Sequence, residues 1–260
     1  MKRSERGAPA RSLSLRPGRV GSSIHLYGVS NIGRTIYMST LTQDSDKEGR
    51  TEFGLPIDDG FSKAASEERI QKAAAALRKN GFEVEVVSTA AEARSHVKSI
   101  LPKDKAIFTA RSETIRLSGL DDDINGSGDY VSIRQQMTKL DRATQMDEIK
   151  RLSATPDVVV GSVHAVTEDG RLVAGSASGS QLGPYSSGAG KAIFVVGSQK
   201  IVPDLETGLR RITNYSYPKE DARMREQYKM PSALLKILIL NGDWPAARST
   251  VVLIREPIGF

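Results

Sequence analysis

From Ser62 onward, stretches with helical apolar spacing alternate with short runs of β-branched residues. Ser62 to Asn80 carries Ala65, Ile70, Ala73, Ala74 and Leu77 on one face, and Asn80-Gly81 supplies a stop. Val84 to Val87 reads as a strand. Thr89 with Glu92 three residues later forms a capping-box pattern, opening a helix that runs to about Leu101 and ends before Pro102. Ala106 to Thr109 is a third strand-like element. This alternation predicts an α/β fold, a mostly parallel sheet with flanking helices.

The pattern continues. Ser112 to Leu120 looks like a helix start, and Ile133 to Ser153 contains another helix. Pro156 to Lys200 reads as strand, polar hairpin, strand, glycine/serine loop, short helix and strand. Pro203 and Asp204 start a helix through Ile212. Leu234 to Leu240 and Thr250 to Ile254 form a C-terminal strand pair, with a turn at Asn241-Gly242-Asp243. No internal repeat is visible.

Charge divides the chain. Residues 1–34 hold seven basic side chains and one acid, which accounts for the whole net charge of +6. The remaining residues balance, so the folded part has no basic footprint for nucleic acid. Aromatics are only 5%, too few for base-stacking platforms. Residues 1–60 lack sustained periodicity apart from a strand or two within Ile24 to Leu41. They are expected to be a basic, poorly ordered extension, with the domain occupying 61–260. The tail lacks the apolar core of a secretory signal, and its Arg/Ser-rich composition is shared with organelle transit peptides. No run is long and apolar enough for a membrane span. The expected location is cytoplasmic, or an organelle reached through the tail.

With no cysteine, the sequence offers no thiolate nucleophile and no ligand for an iron–sulfur cluster. The three histidines have no metal-ligand spacing, and Asp121-Asp122-Asp123 lacks the calcium-loop pattern. No metal or cofactor is assigned.

The candidate chemistry gathers at strand ends, where α/β proteins carry their working groups. His164 follows the Val158 to Val160 strand and suits proton transfer; it could equally be hydrogen-bonded within the sheet. Glu168 lies in the Thr167-Glu168-Asp169-Gly170 turn, as a base, a nucleophile or a solvated acid. Gly175 to Gly190 holds five glycines and five serines, Gly179 and Ser180 among them, which lets a ligand approach the backbone. It is no P-loop, because Tyr185 and Ala192 stand where that motif needs Gly and Ser/Thr. Ser112 and Thr114 sit at a helix start, as caps or as part of an anion site. Lys200 could neutralise a bound anion, although spacing alone reads it as a solvated lysine.

Together these segments resemble the LUD-domain family of lactate-utilisation proteins over roughly Phe61 to Phe260. The resemblance is carried by His164-Ala165-Val166-Thr167-Glu168-Asp169-Gly170-Arg171-Leu172-Val173, by Gly179-Ser180-Gln181, by Val195-Val196-Gly197-Ser198-Gln199-Lys200-Ile201-Val202 and by Arg211. Ser112-x-Thr114 and Val251 to Phe260 also fit. Many relatives have Asn in place of His164, Gly-Asn-Arg in place of Gly179-Ser180-Gln181, and Asn in place of Gln199.

The resemblance implies the fold of the NagB/RpiA/CoA-transferase-like superfamily, with ligands at strand ends. It implies a role in lactate or related organic-acid metabolism, a small anionic metabolite as ligand, and separate iron–sulfur partner proteins. A homo-oligomer is compatible with it. Ser112, Thr114, Gly179, Ser180 and Lys200 would bind the anion, with His164 and Glu168 as catalytic acid/base or positioning groups. Two other readings stand beside it. One is a stand-alone sugar-phosphate isomerase or CoA-transferase type enzyme, which needs His164 and Glu168 in one pocket. The other is a non-catalytic scaffold.

Overall fold

The computed structural model describes residues 49–260. The basic tail and the strand or two expected within Ile24 to Leu41 lie outside the described residues.

A two-stranded ladder, β1 (Gly49–Arg50) and β2 (Pro56–Ile57), leads through a 3-10 turn to α1 (Glu67–Lys79). This helix starts after Ser66, whose hydroxyl accepts from the Arg69 N–H, rather than at Ser62. Strand β3 (Glu83–Val87) and helix α2 (Ala90–Ile100) follow. Thr89 Oγ1 accepts from the Glu92 N–H at 3.2 Å, as the capping pattern predicts. The Glu92 carboxylate accepts instead from the Ser88 N–H, one residue outside the usual box.

After β4 (Ala106–Thr109) come two short helices, α3 (Glu113–Leu117) and α4 (Leu120–Gly126), then β5 (Val131–Ser132), α5 (Ile133–Met137) and α6 (Met146–Ala154). The Pro156 to Lys200 stretch holds β6 (Val158–Gly161), β7 (Ala165–Thr167), β8 (Leu172–Ser176) and β9 (Lys191–Gly197). The remainder is β10 (Ile201–Val202), α7 (Leu205–Arg211), α8 (Tyr217–Tyr228), β11 (Lys236–Leu240) and β12 (Ser249–Ile254). Helix α8 was not expected from the sequence. Pro218 in its first turn has no N–H to give, and a π turn at Ile212–Ser216 carries the chain from α7 into it.

The main sheet has six strands in the order β3-β12-β9-β6-β4-β5, with every neighbour parallel. Its inner strands are largely apolar on both faces, as a parallel sheet between helices requires, whereas the edge strand β3 exposes Glu83 and Glu85. Val251, Leu253, Phe194, Val159 and Phe108 pack with α1 on one side. Val252, Ile254, Ile193, Val160 and Ile107 pack with α2, α3 and α4 on the other. The alternation follows from the two-residue period of a strand.

A second sheet, β10-β7-β8-β11, has one parallel and two antiparallel pairings. Ala165, Val173, Val202 and Ile212 form a third apolar cluster there, with Leu205 and Leu209 of α7. Both members of the C-terminal strand pair are present, and they serve different sheets. Strand β11 pairs with β8, whereas β12 inserts between β3 and β9.

Candidate functional site

Strands β4, β6 and β9 are parallel, so the chain segments leaving Thr109, Gly161 and Gly197 emerge at one end of the sheet. That places Ser112 and Thr114, Ser162 and His164, and Ser198 to Lys200 in one neighbourhood. Lys200 is not a solvated lysine: it is 1% exposed. Its Nζ donates to Thr114 Oγ1 at 2.8 Å and to Ser162 Oγ at 3.0 Å. Both hydroxyls have committed their own protons. Thr114 Oγ1 donates to the Ile258 carbonyl at 3.2 Å, and Ser162 Oγ donates to the Val163 carbonyl at 3.3 Å.

Arg211, the last residue of α7, is fully buried. Its Nη1 donates to the His164 carbonyl and to Ser216 Oγ, and its Nε to the Gln199 carbonyl. The guanidinium lies over the Tyr215 ring, 5.0 Å from the centroid. Nη2 has no hydrogen-bond partner among the described residues. The ion pairs among the described residues include neither Lys200 nor Arg211.

Burial, and after it this local positive charge, shifts the titrating groups. Burial lowers Arg211 to about 10, which leaves it charged at neutral pH. Burial, and then the Arg211 charge, pushes the Lys200 ammonium well below its ordinary range. Burial, followed by the charges of Lys200 and Arg211, lowers His164 to about 3. The His164 ring is therefore neutral. Its Nδ1 accepts from the Gly175 N–H at 3.0 Å, which places the ring proton on Nε2.

The glycine/serine loop reaches this site through its one aromatic residue. A π turn at Pro184–Gly188 buries Tyr185. Its hydroxyl accepts from the Ser162 N–H at 3.2 Å and donates to the Ser162 carbonyl at 3.1 Å. Gly161 makes room for it, since a Cβ there would overlap the Tyr185 hydroxyl. Gly179 and Ser180 lie at the other end of the loop. The Gly179 N–H donates to Ser176 Oγ and the Ser180 N–H to Ser178 Oγ. Lys236 of β11 donates to the neighbouring Ala177 carbonyl. None of these bonds connects with Lys200.

Glu168 has partners of its own. Arg69 Nε donates to it at 2.6 Å and Lys72 Nζ at 2.9 Å, both from α1. Those two bonds hold its carboxyl below the ordinary carboxylate range. No hydrogen bond joins it to His164 among the described residues, so the pairing that an isomerase or transferase reading needs has no contact behind it. Ser112 occupies the N-cap of α3 without a side-chain cap bond, and α3 is five residues long. Thr114 works through Lys200 instead.

Sequence reasoning missed Ser162 and Tyr185, and took Arg211 only from the family resemblance. Ser162 had a signal, lying two residues before His164 at the same strand end. Tyr185 had one as well, being the single bulky aromatic in a loop of glycine and serine.

The segment after β12 covers Thr114. Gln199 Nε2 donates to the Ile258 and Gly259 carbonyls at 2.8 and 2.9 Å. Gly259, at φ 69°, lies so close that a Cβ would overlap Thr114 Oγ1. Among the described residues no group of three or more His, Cys, Asp or Glu side chains forms a metal site, and no helix is long and apolar enough to cross a membrane. An open cleft of about 600 Å³ between α2 and α3 is lined by Arg94 and Lys98, both of which pair with Asp123.

No curated protein matches the sequence. A crystal structure of a DUF162 family protein from Deinococcus radiodurans is similar over 74% of this chain and 99% of that one, with 14% identity and a TM-score of 0.47. The family model of the LUD domain matches residues 70–235. That match runs from within α1 to the residue before β11, with Lys200, Arg211, His164 and Thr114 all inside it, and the chain belongs to the LUD-domain family.

Proposed function

We propose that this LUD-domain protein acts in the utilisation of lactate or a related organic acid, and that it binds a small anionic ligand at the carboxyl ends of β4, β6 and β9. One observation carries the reading. Arg211 is a fully buried guanidinium with no carboxylate partner and with Nη2 unpaired among the described residues. An uncompensated buried charge costs several kcal/mol, and an incoming carboxylate offsets that cost. Arg211 Nε donates to the carbonyl of Gln199, the residue before Lys200, and Lys200 donates to Thr114; the other members of the expected binding set do not share these hydrogen bonds. The sequence has no cysteine to ligate an iron–sulfur centre, and in this reading separate partner proteins supply it.

A thermal-shift series with lactate, pyruvate, oxalate and phosphate tests the proposal, on wild type and on Arg211→Lys. An organic acid that raises the midpoint of wild type and not of the variant supports it. No shift with any of the four overturns it.

A further inference from the structure

We propose that Lys200 is a nucleophilic amine that forms an imine with a 2-oxo acid, whose carboxylate is received by Arg211. This rests on the anion-binding reading above and adds the class of ligand and the bond it makes.

The first support is a count of hydrogen bonds. Thr114 Oγ1 and Ser162 Oγ each give their proton to a backbone carbonyl, so both act as acceptors toward Lys200. A neutral amine has two N–H groups and one lone pair. Two acceptors satisfy the two N–H groups and leave the lone pair free. A charged ammonium would carry a third N–H, and among the described residues Nζ has only these two acceptors. The second support is the neighbouring charge. Arg211 approaches through the His164 and Gln199 carbonyls, and its field disfavours a second cation beside it. The third is the unpaired Nη2, a donor suited to a carboxylate. A carbonyl carbon bonded directly to a carboxylate suits an amine whose neighbouring residue, Gln199, holds the guanidinium through its carbonyl.

The step balances without an oxidant. The Nζ lone pair attacks the keto carbon and a C–N bond forms. The keto oxygen leaves as water with the two amine hydrogens, and a C=N bond remains. Hydrolysis reverses it. Ile258 and Gly259 lie against Thr114, so in this proposal entry from that side displaces them.

The test treats full-length protein with pyruvate and sodium cyanoborohydride at pH 7, followed by peptide mapping. The expected result is a carboxyethyl group on Lys200, formed about tenfold or more faster than on exposed lysines such as Lys72, because each unit of lost basicity gives about tenfold more neutral amine. Excess oxalate, an acid without a ketone, is expected to slow labelling of Lys200 and of no other lysine. Lys200→Arg is expected to lose the fast label. If that variant does not fold, oxalate protection in wild type decides the matter. Labelling of Lys200 no faster than of Lys72, with oxalate still raising the midpoint, overturns the imine and leaves the anion site standing. No label and no shift overturns both.

Discussion

Lys200, in the turn after β9, donates to Thr114 Oγ1 at 2.8 Å although 86 positions separate them in the chain. That bond ties the ends of two parallel strands together around a side chain with almost no access to water. Buried amines of this kind are rarely kept for stability, since an apolar residue of the same shape serves a core as well or better.

Replacing Lys200 by Met is therefore expected to leave stability unchanged or to raise it, by about 1 kcal/mol at most. Thr114 and Ser162 keep their bonds to backbone carbonyls, so neither is orphaned. Ligand response is expected to disappear. Urea titration gives the first quantity and thermal shift the second; a loss of more than about 2 kcal/mol would assign Lys200 a structural role.

His164 makes stability depend on pH. Its folded-state value of about 3 lies below the ordinary 6.5. The unfolded chain therefore binds the proton first as pH falls. The stabilisation is complete above pH 6.5 and drains away toward pH 3, at about 1.4 kcal/mol per unit at the limit. His164→Asn retains an acceptor for the Gly175 N–H and does not titrate. Between pH 7 and 4.5 the variant is expected to lose less stability than wild type; parallel profiles would show that His164 does not titrate on unfolding.

Tyr185 and Gly161 form a matched pair. Tyr185→Phe leaves both the N–H and the C=O of Ser162 without their partner, at a cost of about 1–3 kcal/mol. Gly161→Ala inserts a methyl group into the Tyr185 hydroxyl and is expected to cost more. Chemical denaturation of the two variants ranks them, and a milder effect from Gly161→Ala would mean that the loop yields readily.

Glu168→Gln is expected to cost roughly 0.5–1 kcal/mol and to leave ligand binding unaltered, because the carboxylate serves Arg69 and Lys72 at a partly exposed site. The cost is present in full above the ordinary carboxylate range and is lost as pH falls from that range through the lower folded-state value. Added salt is expected to shrink it. Binding lost together with Glu168 would return this residue to the site.

Elements set by neighbours in the chain were legible in the sequence. Thr89 and Glu92 mark the start of α2, Pro102 lies beyond its end, and the strand at Ala106 to Thr109 falls as read. Contacts made across the fold were not legible. Nothing near Lys200 says that Thr114 and Ser162 will enclose it, so spacing describes a solvated lysine. Nothing near Gln199 says that it will hold Ile258 and Gly259. Helix α8 was hidden for a different reason: Pro218 ordinarily argues against a helix, and the π turn that precedes it has no sequence signature.

The position of β12 bears on how the molecule is assembled. Among the described residues β3 has no neighbour in the main sheet other than β12, and β9 has β12 along one whole side. Until Ser249–Ile254 has been synthesised, two strands made earlier present bare edges, and the valines and leucines meant for both faces have no central rib to cover. Closure of the sheet is then a late, long-range event, of the sort that slows folding and exposes a nascent chain to aggregation. The protein is expected to need the greatest protection on the ribosome just before β12 emerges.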